Sequence, residues 1–345
     1  MRTHLKILAA FASILPAPVA AQDSPPPIDN SILLYVSSAD SVKLPDGRQL
    51  RFVCMGDGSP TVILTAGLGG DAIDWRTVQP EIARTTRACA WDRPGFALSD
   101  GSTQPQTVLT TTADLEAALA SGSITGPYVL VGHSLGSYES LLFADRHGDA
   151  VAGMVLVDPS FPGQGKVARR VMATTSAQSV DRGRASIAFL RKCAAALRSG
   201  SVRPGGADPD GCFAYPAIYP AAFRQALDAK IVNPIQYETL ASFLENSEIA
   251  GELVVNPARN YGDMPLIVLT ATNEISRPDM TDEQRAEQAA FDLEWNRAHV
   301  GLAALSSRGI NARVPGAGHY VQRDKPQVVI DAVEAVVAEA RTAGN

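Results

Sequence analysis

The strongest constraint on this chain's fold is a rhythm. Short, continuous apolar runs bounded by turn residues recur along it, and helical patterns separate them. "TVILTAG" (Thr61–Gly67), "RACAWD" (Arg87–Asp92), "PYVLVGHS" (Pro127–Ser134), "AGMVLVDPS" (Ala152–Ser160) and "MPLIVLTA" (Met264–Ala271) are such runs. A strand apolar at successive positions must be buried on both faces, so the expected fold class is α/β: a mostly parallel sheet covered by helices on each side. A hairpin precedes it, "VKL" turning through "PDGR" into "QLRFVCMG", with Leu50, Phe52 and Cys54 on one face. Helices are predicted around Trp75–Arg84, over "QTVLTTTADLEAALASG", directly after Ser134, and near Asp282–Ser307. A closing helix, "KPQVVIDAVEAVVAEA", has Asp324 placed to cap it and Pro326 in its first turn.

The rhythm breaks between Phe161 and Asn260. Proline and glycine interrupt this stretch, as in "RSGSVRPGGADPDGC", yet Phe189, Leu190, Phe213, Tyr215, Phe223, Tyr237 and Phe243 supply a core. It reads as a mainly helical cap inserted between two sheet strands. The expected organisation is a core of residues 22–160 and 261–345 with a cap at 161–260, behind a processing segment at 1–21. That segment has a basic start (Arg2, Lys6), an apolar run from Ile7 to Leu15 and small residues up to Ala21. It is patterned as a secretory signal peptide, and its apolar run is too short to span a bilayer. A secreted or periplasmic location follows, with no stable membrane insertion.

Without residues 1–21 the chain carries 28 basic against 36 acidic residues, a net charge of −8. This mildly acidic balance argues against nucleic acid as a partner. Four cysteines in an exported chain invite pairing; they allow three connectivities, among which the residues alone do not choose.

"VGHSLG" carries the chemistry. Gly132 and Gly136 flank Ser134, with a strand before it and a helix after. Such a strand-turn-helix lifts the hydroxyl above the strand ends and sets the Leu135 amide where an oxyanion would form. A serine nucleophile needs a base. His4 belongs to the leader, His133 is inside the turn with its side chain directed away from the hydroxyl, His147 is at an exposed helix end, and His299 lies in a charged helix reaching cap or solvent. His319, in the glycine-rich "VPGAGHYVQRDKP" after the last strand, is the general base by elimination and by position. Two carboxylates compete to orient it. Asp158 ends the strand after the nucleophile's own, and Glu274 follows the next one; the rigidity of a strand end favours Asp158, with Asp263 and Asp279 behind both. The loop "LTAGLGGDAIDW" supplies the second oxyanion amide at Leu68. Its "GLGG" lacks a phosphate-binding lysine and the dinucleotide spacing. These motifs call for no metal or cofactor.

"AGLGGDAIDW", "WDRPGFALSD", "VGHSLG", "LVDP" and "GAGHYVQRDKP" follow the order seen in the α/β-hydrolase superfamily, and the chain resembles its capped, esterase-like serine hydrolase branch. The resemblance spans roughly residues 42–340 outside the cap. It implies an eight-stranded sheet, a Ser-His-acid triad with Ser134 and His319 as nucleophile and base, and the Leu68 and Leu135 amides as oxyanion donors. It also places the second and fourth strands side by side, which implies a Cys54–Cys89 bridge and leaves Cys193–Cys212 for the cap. Two positions depart from the usual pattern. Ala66-Gly67 replaces His-Gly before the oxyanion loop, and Ala271-Thr-Asn-Glu274 replaces Gly-x-x-Asp. A serine at the elbow sets the chain apart from the haloalkane dehalogenase and epoxide hydrolase branches, which use aspartate there. The expected activity is hydrolysis of a small-molecule carboxylic ester with an apolar part. Carbon–carbon, lactone and peptide hydrolysis share the triad. A non-catalytic binding protein on the same scaffold would be expected to lack Ser134 or His319.

Overall fold

In the computed structural model, which describes residues 26–37, 39–272 and 280–343, the apolar runs form one eight-stranded sheet. Its strands are β1 (Ala39–Lys43), β2 (Gln49–Met55), β3 (Thr61–Thr65), β4 (Ala88–Trp91), β5 (Tyr128–His133), β6 (Val151–Val157), β7 (Leu266–Ala271) and β8 (Gly309–Val314). They lie in the order β1-β2-β4-β3-β5-β6-β7-β8. β2 is antiparallel to both its neighbours, and every pair from β4 to β8 is parallel.

Side-chain alternation divides the core in two. Val62 and Leu64 of β3, Val129 and Val131 of β5, and Val155 and Val157 of β6 share one face with Val329, Val333 and Val336 of the closing helix. Ile63, Leu130, Met154, Leu156 and Val268 fill the other with Leu115, Leu141 and Leu302. Continuous apolar strands are therefore the consequence of two covered faces. The helices that cover them are α1 (Val108–Ala120), α2 (Gly136–Arg146), α7 (Asp282–Ala303) and α8 (Pro326–Ala343). Thr107 and Thr281 close capping boxes on α1 and α7.

Between β6 and β7 the chain forms α3 (Gln164–Val171), α4 (Ala173–Ser199), α5 (Ala221–Ile231) and α6 (Pro234–Ser247). Cys193 on α4 bonds Cys212 beside Leu190, Tyr237 and Ala241, a small apolar core of its own. Cys54 and Cys89 face each other across β2 and β4 and are bonded.

Three local expectations change. The Trp75–Arg84 stretch is a 3-10 turn at Ala72–Trp75 and a short helix at Gln79–Ile82 rather than one helix; Asp71 caps the first and Pro80 starts the second. The helix after "SRPDMT" ends at Ala303, because Gly309 lies against the Ala303 carbonyl and the chain must turn there into β8. Asp324 does not cap α8; its carboxylate accepts the Gly318 N–H at 2.8 Å and braces the His319 loop instead. The leader at 1–21, Glu274 and Asp279 lie outside the described residues. Among the described residues no helix is long and apolar enough to cross a membrane.

Candidate active site

Chain order creates the site. After β3 the chain moves to β4 on one side, then crosses to β5 on the other. The loops leaving β3 and β5 therefore diverge and open a crevice at the carboxyl ends of the strands, where open α/β sheets bind ligands. Ser134 follows β5 and Leu68 follows β3.

The turn at Ser134 is tight. Its φ is +49°, in the left-handed region that costs a side-chain-bearing residue about 1–3 kcal/mol. A Cβ on Gly132 would lie 2.7 Å from the Gly136 carbonyl oxygen, and one on Gly136 would lie 2.4 Å from the Thr65 carbonyl oxygen. Only glycine fits either side. The turn is held by hydrogen bonds: Ser134 N–H donates to the Val157 carbonyl (3.1 Å), and the Ser134 carbonyl accepts from Ser160 N–H (3.0 Å) and the Ser137 hydroxyl (2.7 Å).

His319 reaches Ser134 from the loop after β8. Its Nε2 is 2.9 Å from Ser134 Oγ, and its Nδ1 is 2.7 Å from Asp158 Oδ2. Asp158 is buried, and its other oxygen accepts from the Ala271 N–H (3.0 Å) and the Trp295 indole N–H (3.1 Å). An ionised carboxylate on Nδ1 fixes the proton there and leaves Nε2 free to accept from the serine hydroxyl. Of the expected carboxylates, the structure brings Asp158 to His319. Asp263 is exposed ahead of β7, at the opposite edge of the sheet.

The Leu68 and Leu135 amides donate to no protein acceptor among the described residues. Arg93 aims the first of them. Arg93 is buried with Glu139, pairs with it at 2.5 and 2.7 Å, and donates to the Ala66 (2.7 Å) and Gly67 (3.1 Å) carbonyls. Across a trans peptide the carbonyl and the following N–H point opposite ways. Holding Gly67 C=O inward therefore turns Leu68 N–H outward. Arg93 carries no signal of this role in the sequence: Asp92 beside it offers a local partner, whereas its partner in the fold is Glu139.

Two other histidines are structural. His133 is buried and donates Nε2–H to the His319 carbonyl at 2.9 Å, tying the β5 turn to the His319 loop. Burial, then the nearby His319, pushes its pKa well below the ordinary value. His299 does not reach cap or solvent: it is fully buried. It donates Nε2–H to the Pro159 carbonyl (2.8 Å), and Nδ1 accepts from the Thr270 hydroxyl (2.8 Å). Burial lowers its pKa too. Phe291, Trp295, His299 and Leu302 line the inward face of α7 at helical spacing, a signal the helix's charged residues obscured. His147 is exposed, as its position predicts. Among the described residues no cluster of three or more His, Cys, Asp or Glu is placed to hold a metal ion.

Known proteins agree with this architecture. The profile of the alpha/beta hydrolase family matches residues 62–332. An uncharacterised Schizosaccharomyces pombe protein is 44% identical over 81 residues, which is 24% of this chain and only 15% of that protein's length. A Yersinia enterocolitica protein, RutD, named for carbamate hydrolysis, is 25% identical over 261 residues, covering 74% of this chain and 86% of its own. Among solved structures, a thermophilic esterase from Thermogutta terrifontis shares the fold with a TM-score of 0.51 at 19% identity, over 88% of this chain and 99% of that one. The matched span runs from the second residue of β3 into α8 and takes in every residue of the crevice, so the chain belongs to the alpha/beta hydrolase family.

Proposed function

We propose that this chain is an exported serine hydrolase that cleaves a small carboxylic ester. The observation that carries the reading is the unbroken line of hydrogen bonds Ser134–His319–Asp158. Ser134 Oγ attacks the acyl carbon while His319 Nε2 takes its proton. The acyl oxygen, now negative, is received by the Leu68 and Leu135 amides. The intermediate collapses, and His319 returns the proton to the departing alcohol. Water, deprotonated by His319, then releases the acid from the acyl-serine, and the proton goes back to Ser134. Asp158 stays ionised and stabilises the imidazolium in both halves.

Residues 161–260 act as the cap over a core made of 22–160 and 261–345. Residues 1–21 direct export to the periplasm or medium, where both disulfides persist. A relative named for carbamate hydrolysis and a structural neighbour that is an esterase both support acyl chemistry. Labelling of the purified protein by a fluorophosphonate probe tests the reading. Wild type should label and Ser134→Ala should not. Failure of folded wild type to label, or to hydrolyse any member of a chromogenic ester and carbamate panel, leaves a binding protein on a hydrolase scaffold.

A further inference from the structure

A cavity of about 210 Å³ lies between the core loops and the inserted helices. Gly69, Phe96, Leu190, Tyr219, Leu240 and Asp71 are among its walls. The loop after β3 links it to Ser134: Gly69 lines the cavity, and a Cβ on Gly67, two residues earlier, would lie 3.1 Å from the Ser134 Cβ. At about 30 Å³ per water-sized unit it takes on the order of seven heavy atoms. The lining is mostly apolar. Two of its tyrosine hydroxyls are already committed, Tyr215 to Asp228 (2.5 Å) and Tyr237 to the Cys212 carbonyl (2.5 Å).

Two polar groups are not. Asp71 Oδ1 accepts the Ile73 N–H (2.9 Å), and its second carboxyl oxygen has no protein partner among the described residues. The Tyr219 hydroxyl has none either. The neighbouring charges are spoken for. Asp74 pairs with Arg323, Asp92 accepts the Ala72 and Leu98 amides, and Arg76 pairs with Asp29. Burial, reinforced by Asp92 and Asp74, raises the Asp71 carboxyl well above the ordinary carboxylate range. An apolar pocket with a few convergent polar groups is how ligand sites fix orientation, and a half-buried carboxyl with an open oxygen is costly unless something meets it.

We propose that this cavity receives the acyl chain of the substrate and that Asp71, with Tyr219, binds a hydroxyl group on that chain. The loop that receives the acyl oxygen also forms the cavity wall, so the acyl half is the part directed into it. A hydroxyl both donates and accepts, so it suits Asp71 in either protonation state, whereas a bare alkyl end leaves both groups unmet. This rests on the serine hydrolase reading and narrows it to small hydroxyacyl esters.

Two isosteric pairs of p-nitrophenyl esters test it: 3-hydroxybutyrate against 3-methylbutyrate, and 6-hydroxyhexanoate against heptanoate. Wild type should prefer the hydroxylated member of at least one pair by about tenfold in kcat/KM, the upper scale of one net hydrogen bond. Asp71→Ser, which preserves the cap on Ile73, and the isosteric Tyr219→Phe should each bring that ratio down toward one. Equal or faster turnover of the alkyl ester in both pairs by wild type, or a ratio unchanged in both variants, overturns the proposal while leaving the hydrolase reading intact. A folded wild type that neither takes the fluorophosphonate probe nor cleaves any of the four esters overturns both.

Discussion

Ser134 and Asp158 share an uncommon property: both carry side chains and both sit at positive φ, +49° and +41°. Each ends a parallel strand at the same edge of the sheet, and the two turns are bonded to each other through the Ser134 N–H and the Ser160 N–H. The backbone of one turn thus sets the other and fixes the spacing between Ser134 and Asp158. Asp158→Asn tests the acid. The amide oxygen can still accept the Ala271 and Trp295 donors, so the fold should persist. The amide cannot hold the Nδ1–H tautomer as a carboxylate does, and kcat should fall about 10⁴-fold. Glu274→Gln should change kcat by less than about threefold, within the spread of a residue outside the reacting unit. If the two variants exchange these outcomes, Glu274 is the acid. Ser134 and His319 were legible in the sequence because each sits in a motif with a demanded backbone. Asp158 and Glu274 were not separated there, since in the sequence each follows an apolar strand run; the structure brings Asp158 to His319, and Glu274 lies outside the described residues. Arg93 was invisible for a related reason: its partners Glu139, Ala66 and Gly67 come from two other parts of the chain.

At the scale of elements, the strands were the most legible part, because burial on both faces writes itself as unbroken apolar runs. The short helical turns after β3 were less so: four-residue pieces have no period long enough to read. The inserted helices show a different dependence. α4 and α6 pack on each other around Leu190, Cys193, Tyr237 and Ala241, and Cys212 reaches this core from the loop before α5. The Cys193–Cys212 bond spans a sequence separation of 19 residues that includes the proline- and glycine-rich "RSGSVRPGGADPDGC". Closing a loop of that length is worth about 3 kcal/mol by chain entropy. Cys193→Ala with Cys212→Ala should therefore lower Tm by several degrees and bring protease cleavage into residues 200–211. The serine's reaction with a fluorophosphonate should outlast that nicking, because Ser134 and Asp158 directly follow sheet strands, His319 lies in the loop after β8, and none of the three belongs to the insertion. Loss of labelling in step with loop cleavage would show that the insertion holds the site together.

At the scale of the molecule, the sheet's polar pins decide how stability responds to pH. Asn311 on β8 donates to the Thr270 hydroxyl on β7 (2.7 Å), Thr270 bonds His299 on α7, and His299 donates to the Pro159 carbonyl after β6. This chain crosses three strands and a helix through side chains far apart in sequence, which is why no local pattern announced it. His299 is neutral in the fold, since burial depresses its pKa below the ordinary 6.5. Below about pH 6.5 the unfolded chain binds a proton that the folded one refuses, so stability is lost as pH falls, at up to about 1.4 kcal/mol per pH unit. His133 adds a second contribution of the same sign. Asp92 works the other way: burial raises it to about 6, so the fold holds that proton between its ordinary value and pH 6, and acidification stabilises there. The total curve mixes these slopes, but a difference between variants separates them. His299→Gln can keep the donor to Pro159 and cannot titrate. At pH 7 it should be less stable than wild type by about 1 kcal/mol, for the altered fit to Thr270. Between pH 7 and pH 5 that gap should narrow, with a ceiling of about 2 kcal/mol, because only wild type holds an imidazole against protonation. Urea unfolding of both proteins at the two pH values measures it directly. Parallel losses in the two would mean that His299 carries its proton in the fold and that the pin from Thr270 to Pro159 tolerates a charge.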